Sequence, residues 1–383
     1  MRDVAVIGIG QTPVGEHWTS GLRQLAADAI HDALNDAGLK QIDALYVGNA
    51  FGAAFSNQTH LGALVADYAG LGGPEAYTIE AADASGAAAL RTGYLAVASG
   101  AVETALVVGV EKSTDTVGEA RTLARNTSLD ADYEAAHGAT QTALAAMLMR
   151  RYLHEYGLEL SAFEGFSINA HANGARSRYA MFRNTLKPGG FARAPMISDP
   201  VNLFDSAPDA DGAAAVILTT FERAVDLVPQ PVRITGSAVA TDALALQDRA
   251  NLLYLGAANR SAHKAYAQAG ITPDAVNLFE LHDEYTVIAA LSLEAAGFAA
   301  RGEGWKLAQE GALALNGRLP ISTFGGLKAR GNPAGATGVY QAVEACLQLR
   351  EQAGDNQVPG AKIALIQNLG GLGGTAITHV LQI

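Results

Sequence analysis

The chain has 383 residues, with 26 Lys+Arg against 38 Asp+Glu and a formal charge of −12, a balance that repels phosphate backbones and leaves no basic run for nucleic acid. No uninterrupted apolar stretch reaches membrane-spanning length, and Met1-Arg2-Asp3 passes at once into the strand-like Val4-Ala5-Val6-Ile7, so a cytoplasmic protein with neither nucleic-acid nor membrane partner is expected. The single cysteine excludes an internal disulfide; Cys346 lies on the helical stripe Val339, Ala342, Val343, Cys346, Leu347 and reads as a buried structural thiol.

The first strand ends in Gly8-Ile9-Gly10, which lacks the third glycine that would open a nucleotide-binding helix and reads as a turn. A helix from about Gly21 to Ala37 follows, with Ser20 as N-cap and Gly38 as stop. Next come a strand at Ala44 to Val47, a helix around Leu61 to Tyr68, and a strand at Tyr77 to Ile79. A helix from Ala87 to Ser99, closed by Gly100, has almost no charged side chains and must be buried. The strand Ala105 to Val110 completes an alternation that reads as a twisted α/β sheet.

The turn Glu80-Ala81-Ala82-Asp83-Ala84-Ser85-Gly86 aims unpaired N–H groups and the positive end of the buried helix at whatever Asp83 faces. Asp83 is either the N-cap of that helix or a functional carboxylate.

From about 112 to 200 the regularity weakens and Arg150, Arg151, His171, Arg176, Arg178, Lys187 and Arg193 collect in an otherwise acidic chain. The segment reads as an insertion riding on the sheet, either a lid or anionic-ligand surface or a solvated helical excursion. Strand character returns at Asp211 to Leu218. The second half then repeats the first. Ala33 to Leu39 followed by Ile42 to Leu45 is matched by Ala265 to Ile271 followed by Pro273 to Val276; the Asp83 turn, its helix and its strand are matched by Asn332, a helix from Thr337 and a strand Ile363 to Ile366. Asp83 stands three before Gly86 and Asn332 three before Gly335. The expected architecture is two similar halves, 1–225 with the insertion and 226–383, related by a pseudo-twofold axis that brings Asp83 and Asn332 into one pocket.

Three segments join Asp83 in this arrangement: Glu280-Leu281-His282-Asp283-Glu284-Tyr285, the glycine-rich block Gly325 to Gly338, and the closing loop Gln367 to Gly374. With these motifs nearly the whole chain resembles the thiolase superfamily, most closely the branch of sterol-carrier-protein-type thiolases and archaeal acetoacetyl-CoA thiolases. The resemblance implies a five-layer αβαβα sandwich, a homodimer, an inserted loop domain that binds coenzyme A as part of the substrate, and carbon–carbon chemistry on acyl-CoA thioesters without a metal or redox cofactor. It also implies a partner of the OB-fold/zinc-ribbon type and an HMG-CoA synthase-like protein, as archaeal relatives assemble with these. His171 and Arg178, in the loop domain, and Gly325, Gly326, Gly370 and Gly371 are the residues it assigns to coenzyme A.

The departures from the family pattern concern the chemistry. Asp83 stands where the resemblance expects the nucleophilic cysteine, Asn332 where it expects the histidine of Gly-His-Pro, and Glu284 where sterol-carrier-type members often carry an acid/base cysteine; His282 remains as an oxyanion-hole or positioning group. An aspartate would form at most an easily hydrolysed anhydride, and Asn332 cannot accept a proton as histidine does. Two carboxylates, an imidazole and helix N-termini suit proton transfer and enolate stabilisation, as in retro-aldol cleavage of a β-hydroxyacyl-CoA, with like-charge repulsion between Asp83 and Glu284 expected if they lie close. Tyr285 and Tyr340 are the tyrosine candidates, ordinary packing being the alternative for Tyr340. The competing readings are a degenerate, CoA-binding scaffold subunit and an acetyl-CoA acetyltransferase of the usual family type.

Overall fold

A computed structural model describes residues Met1–Ile383. Nine strands form one large sheet, numbered here in chain order: β1 Val4–Gln11, β2 Ala44–Gly48, β3 Glu75–Ile79, β4 Thr104–Glu111, β5 Gly212–Thr220, β6 Val232–Thr241, β7 Leu278–Glu280, β8 Ile363–Gly370 and β9 Thr375–Gln382. Helices of eight or more residues are α1 Leu22–Ala37, α2 Leu61–Tyr68, α3 Ser85–Ser99, α4 Glu119–Asn126, α5 Gln141–Tyr156, α6 Glu164–Gly174, α7 Gly256–Ala269, α8 Thr286–Ala295 and α9 Thr337–Leu349.

The strand order β3-β2-β4-β5-β1-β6-β9-β8-β7 reads outward from the antiparallel β1–β6 pair in the same way on both sides. β5 is antiparallel to β1 and β4, as β9 is to β6 and β8; β2 runs parallel to β4, as β7 does to β8. Where β3 pairs with β2, the second half has only the single parallel bridge of Ile321 to Phe279.

Strand side chains alternate between two cores because the strand period is two. On β4, Leu106, Val108 and Val110 pack with α1 in one cluster, while Ala105 and Val107 pack with α3 and α9 in another. A third cluster joins α5, α7 and α8 to the outer face of the second half. Helices α3 and α9 are therefore the middle layer of an αβαβα sandwich. Their mostly small and apolar residues suit burial on both sides, and the one acidic side chain of α9, Glu344, is paired with the buried Arg330.

Gly38, Gly100 and Gly270 all end helices in the left-handed conformation, as their positions suggest. The expected cap Ser20 is not used: Gly21 stands at the N-cap of α1 without a side-chain bond. The strand expected around Val276 runs Leu278–Glu280 instead, because Pro273–Ala275 form a 3₁₀ turn. The insertion is more regular than its composition suggests. In α5, Arg150 and Arg151 face outward while Leu148, Met149 and Tyr152 enter the core, and Thr140 caps the helix by accepting from the Ala143 N–H.

The N-terminal turns of α3 and α9 meet backbone to backbone. A Cβ on Gly86 would lie 2.7 Å from the Gly335 carbonyl oxygen, and one on Gly338 would lie 2.3 Å from the Ala87 nitrogen. Side chains are excluded from this crossing, which fixes the Asp83 turn against the Asn332 loop. Gly338→Ala should lower stability by about 1–3 kcal/mol through overpacking, read as an earlier midpoint in chemical denaturation, whereas Gly15→Ala should show no such clash because open space surrounds that position and its backbone is not left-handed.

Candidate functional site

Asp83 is fully buried, and it does not cap α3; Ala84 occupies that position, with no side-chain cap bond. The turn is held by Ser85, whose Oγ accepts from the Ala81 N–H at 2.9 Å and donates to the Ala82 carbonyl at 2.6 Å. The Asp83 carboxylate is thus released to face Arg125 on α4, whose Nη1 donates to Oδ1 at 2.7 Å.

Arg125 is the centre of the site. Its Nη2 donates to Glu284 Oε1, its Nε lies 3.6 Å from Asp209 Oδ1, and its guanidinium stands 5.1 Å from the Phe51 ring centroid. Burial opposes its charge, but the carboxylates of Asp83, Glu284 and Asp209 outweigh that and hold its pKa well above the ordinary value. The repulsion expected between Asp83 and Glu284 is replaced by attraction to this shared cation.

Glu284 has both oxygens engaged: Gln141 Nε2 donates to Oε2 at 2.6 Å, and Asn332 Nδ2 donates to Oε1 at 3.3 Å. Asn332 in turn accepts at Oδ1 from the Ala334 N–H at 3.0 Å and from Thr337 Oγ1 at 3.3 Å. His282 Nδ1 lies 3.0 Å from Asn368 Nδ2, and its Nε2 lies 3.7 Å from Glu284 Oε2. An amide donating to Nδ1 and a carboxylate beside Nε2 both select the tautomer with its proton on Nε2. Asp83 Oδ2, His282 Nε2 and Gln141 Oε1 are buried without hydrogen-bond partners, a costly state in a core and a serviceable one at a binding site.

Asp83, His282, Glu284 and Asn332 therefore belong to one connected cluster, together with Arg125, Gln141 and Asn368, which sequence reasoning did not single out. Tyr285 adjoins it: its hydroxyl pairs with Thr142 Oγ1 at 3.0 Å, and burial with the neighbouring Glu284 raises its pKa well above the ordinary value. Tyr340 stands apart from the cluster. Its hydroxyl donates to the Thr12 carbonyl at 2.9 Å and its ring lies under the Arg330 guanidinium, so it packs α9 against β1.

A cavity of about 160 Å³ lies over Arg125, Gln141, Glu284 and Tyr285, and a second of about 600 Å³ shares Ser206 and Ala207 in its wall. His171, Phe182, Lys187, Arg193, Phe204 and Lys328 line the larger one. Lys328, also unforeseen, is buried, donates to the Asp205 carbonyl at 2.6 Å, and has its ammonium pushed down to about 8 by burial. Arg178 lies outside this cavity. Beyond the end of α6 its guanidinium folds onto Tyr179, at 4.8 Å from the ring centroid, beside a different depression. The expected glycines also lie behind the walls rather than in them: Gly325 and Gly326 pack on Gly174 and Asp283, and Gly370 and Gly371 approach Ala81 and Ser128.

A family model described as "Thiolase, N-terminal domain" matches residues 4–191, and one described as "Thiolase C-terminal domain-like" matches residues 238–383. An acetyl-CoA acetyltransferase of Methanothermobacter thermautotrophicus is 40% identical over 384 residues, covering 100% of both chains. The chain belongs to the thiolase superfamily. The chain is also 29% identical to a 17-hydroxy-3-oxo-4-pregnene-20-carboxyl-CoA lyase of Mycobacterium tuberculosis, over 94% of this chain and 95% of the other. Among solved structures, the Ltp2-ChsH2(DUF35) aldolase superposes with a TM-score of 0.86 at 25% identity, covering 99% of this chain and 97% of that one.

Removing the central cation should be severe. Arg125→Met strands buried carboxylates and should cost about 3–5 kcal/mol, measured by chemical denaturation against the wild-type protein. A separate pH effect arises on β7, the strand leading to His282. Burial and the adjacent Glu344 carboxylate push the Glu280 carboxyl up to about 8 from its ordinary 4.5. Between those values the folded chain keeps a proton that the unfolded chain releases, so this group's contribution to stability is lost as pH rises through the window. Glu280→Gln should flatten that part of the stability–pH profile.

Proposed function

We propose that this thiolase-superfamily protein acts on acyl-CoA thioesters and cleaves a β-hydroxyacyl-CoA by a retro-aldol reaction, without a cysteine acyl-enzyme. The observation that carries this reading is that Asp83 Oδ2 and His282 Nε2 are both buried without hydrogen-bond partners, while Asp83 is joined to Glu284 through Arg125 and His282 lies beside Glu284. Asp83 would take the β-hydroxyl proton as the Cα–Cβ bond breaks and the β-carbon becomes a carbonyl. The released electron pair passes into the thioester enolate, whose oxygen accepts from His282 Nε2–H. Asp83 then returns its proton to Cα, giving a shorter acyl-CoA and an aldehyde or ketone. Glu284, with both oxygens occupied, positions Arg125, Gln141 and His282 instead of transferring the proton.

The only cysteine supports a route without acyl-enzyme. Cys346 is fully buried within α9 and its thiol is pushed up to about 12 by burial, so it offers no thiolate to a thioester. The larger cavity, bounded by His171, Lys187, Arg193 and Lys328, suits the nucleotide and pantetheine of coenzyme A. The lyase and the aldolase among the similar proteins support cleavage, and the two-component name of that aldolase supports a partner protein.

The relative named as an acetyl-CoA acetyltransferase favours a second reading, acyl transfer on the same scaffold. Incubation with β-hydroxyacyl-CoA thioesters and chromatography of the products separates the two. Released aldehyde or ketone is expected, with no acetyl label retained by the protein; a stable acetyl-protein adduct would overturn the proposal. Asp83→Asn should lower kcat by about 10²-fold or more with little change in KM, and His282→Ala by about 10²–10³-fold. Unchanged turnover in Asp83→Asn would remove Asp83 from the mechanism.

A further inference from the structure

The smaller cavity is walled mainly by polar groups. Hydroxyls come from Thr140 and Thr142, and amides from Asn126 and Gln141, with Ala207 and Tyr285 as its hydrophobic lining. Its volume of about 160 Å³ has room for a short acyl group, and its polar walls disfavour a long apolar one. Four charged residues line it, and they are not equivalent. Glu284 and Asp209 both face Arg125, which lies among carboxylates. Arg121, one turn earlier on α4, has no carboxylate within salt-bridge distance. Its Nε donates to the Thr116 carbonyl at 2.7 Å and its Nη2 to the Thr114 carbonyl at 3.3 Å, leaving Nη1 uncommitted. Gln141 adds a second unmet demand, because its Nε2 is spent on Glu284 while its buried Oε1 has no donor.

From Arg121 and the polar lining we infer that the acyl part of the substrate is short and carries a terminal carboxylate held by Arg121. The inference rests on the acyl-CoA reading of the site for the direction in which the substrate enters, past Ser206 and Ala207. The carboxylate gains a charge-assisted bond to a guanidinium already ordered by two backbone carbonyls, so little side-chain freedom is lost on binding.

Calorimetry with glutaryl-CoA and valeryl-CoA, which have the same number of acyl carbons and differ in a terminal carboxylate against a methyl, tests the inference without requiring turnover. The wild-type protein should bind glutaryl-CoA about tenfold or more tightly than valeryl-CoA, Arg121→Met should bring the two within about twofold, and Arg121→Lys should restore part of the preference. Equal affinities in the wild-type protein, or a preference for valeryl-CoA, would overturn it, whether or not the Arg121→Met chain folds. The turnover arm uses 3-hydroxyglutaryl-CoA and 3-hydroxyvaleryl-CoA. Faster cleavage of the former supports both readings. Equal cleavage of both refutes the acyl selectivity and leaves the lyase proposal standing, whereas glutaryl-CoA selectivity without any cleavage refutes the lyase proposal and leaves the selectivity standing.

Discussion

Everything at the centre of this protein depends on one buried cation. Two carboxylates so close to one another inside a protein, without compensation, would be untenable. Arg125 makes the arrangement stable by donating to Asp83 and Glu284 through different nitrogens while lying near Asp209. Because its fork is planar and rigid, it also fixes where those carboxylates point. Asp83 keeps one oxygen free, and Glu284 keeps none.

The layers serve that cluster. The sheet halves are each covered on the outside by their own helices, α1 on one side and α7 and α8 on the other, and they share α3 and α9 between them. The residues that matter sit where strands and middle helices end: Asp83 before α3, Asn332 before α9, His282 and Glu284 after β7, Asn368 within β8. The insertion contributes from outside the repeat, carrying Arg125 and Gln141 inward from α4 and α5. The charge balance of the site is thus divided between the two halves, which supply the carboxylates of Asp83 and Glu284, and the insertion, which supplies the cation between them.

Much of this was readable before any coordinates. Glycine stops gave α1 and α3 within a few residues, apolar spacing gave α2, and the repeat gave the start of α9 at Thr337. The repeat placed the two middle helices together, and the motifs around Asp83, His282, Glu284 and Asn332 marked the cluster. Arg125 was invisible for a physical reason. Its short helix, Glu119–Asn126, carries no pattern that separates it from a solvated one, and its partners lie 42 and 159 residues away in the chain. Long-range ion pairing leaves no local signature. For Tyr340 and Arg178, residue type and position near a motif suggested a role, while their side chains turn to Thr12 and Tyr179.

The glycine crossing of α3 and α9 has a bearing on how such a centre tolerates replacement. Where two helices are separated by side chains, substitution changes their spacing; where they touch through main-chain atoms, the spacing is a property of the polypeptide itself. The anchor points of Asp83 and Asn332 are in this sense a fixed mounting, and new reactive groups installed on it inherit the old distances without re-engineering of the frame.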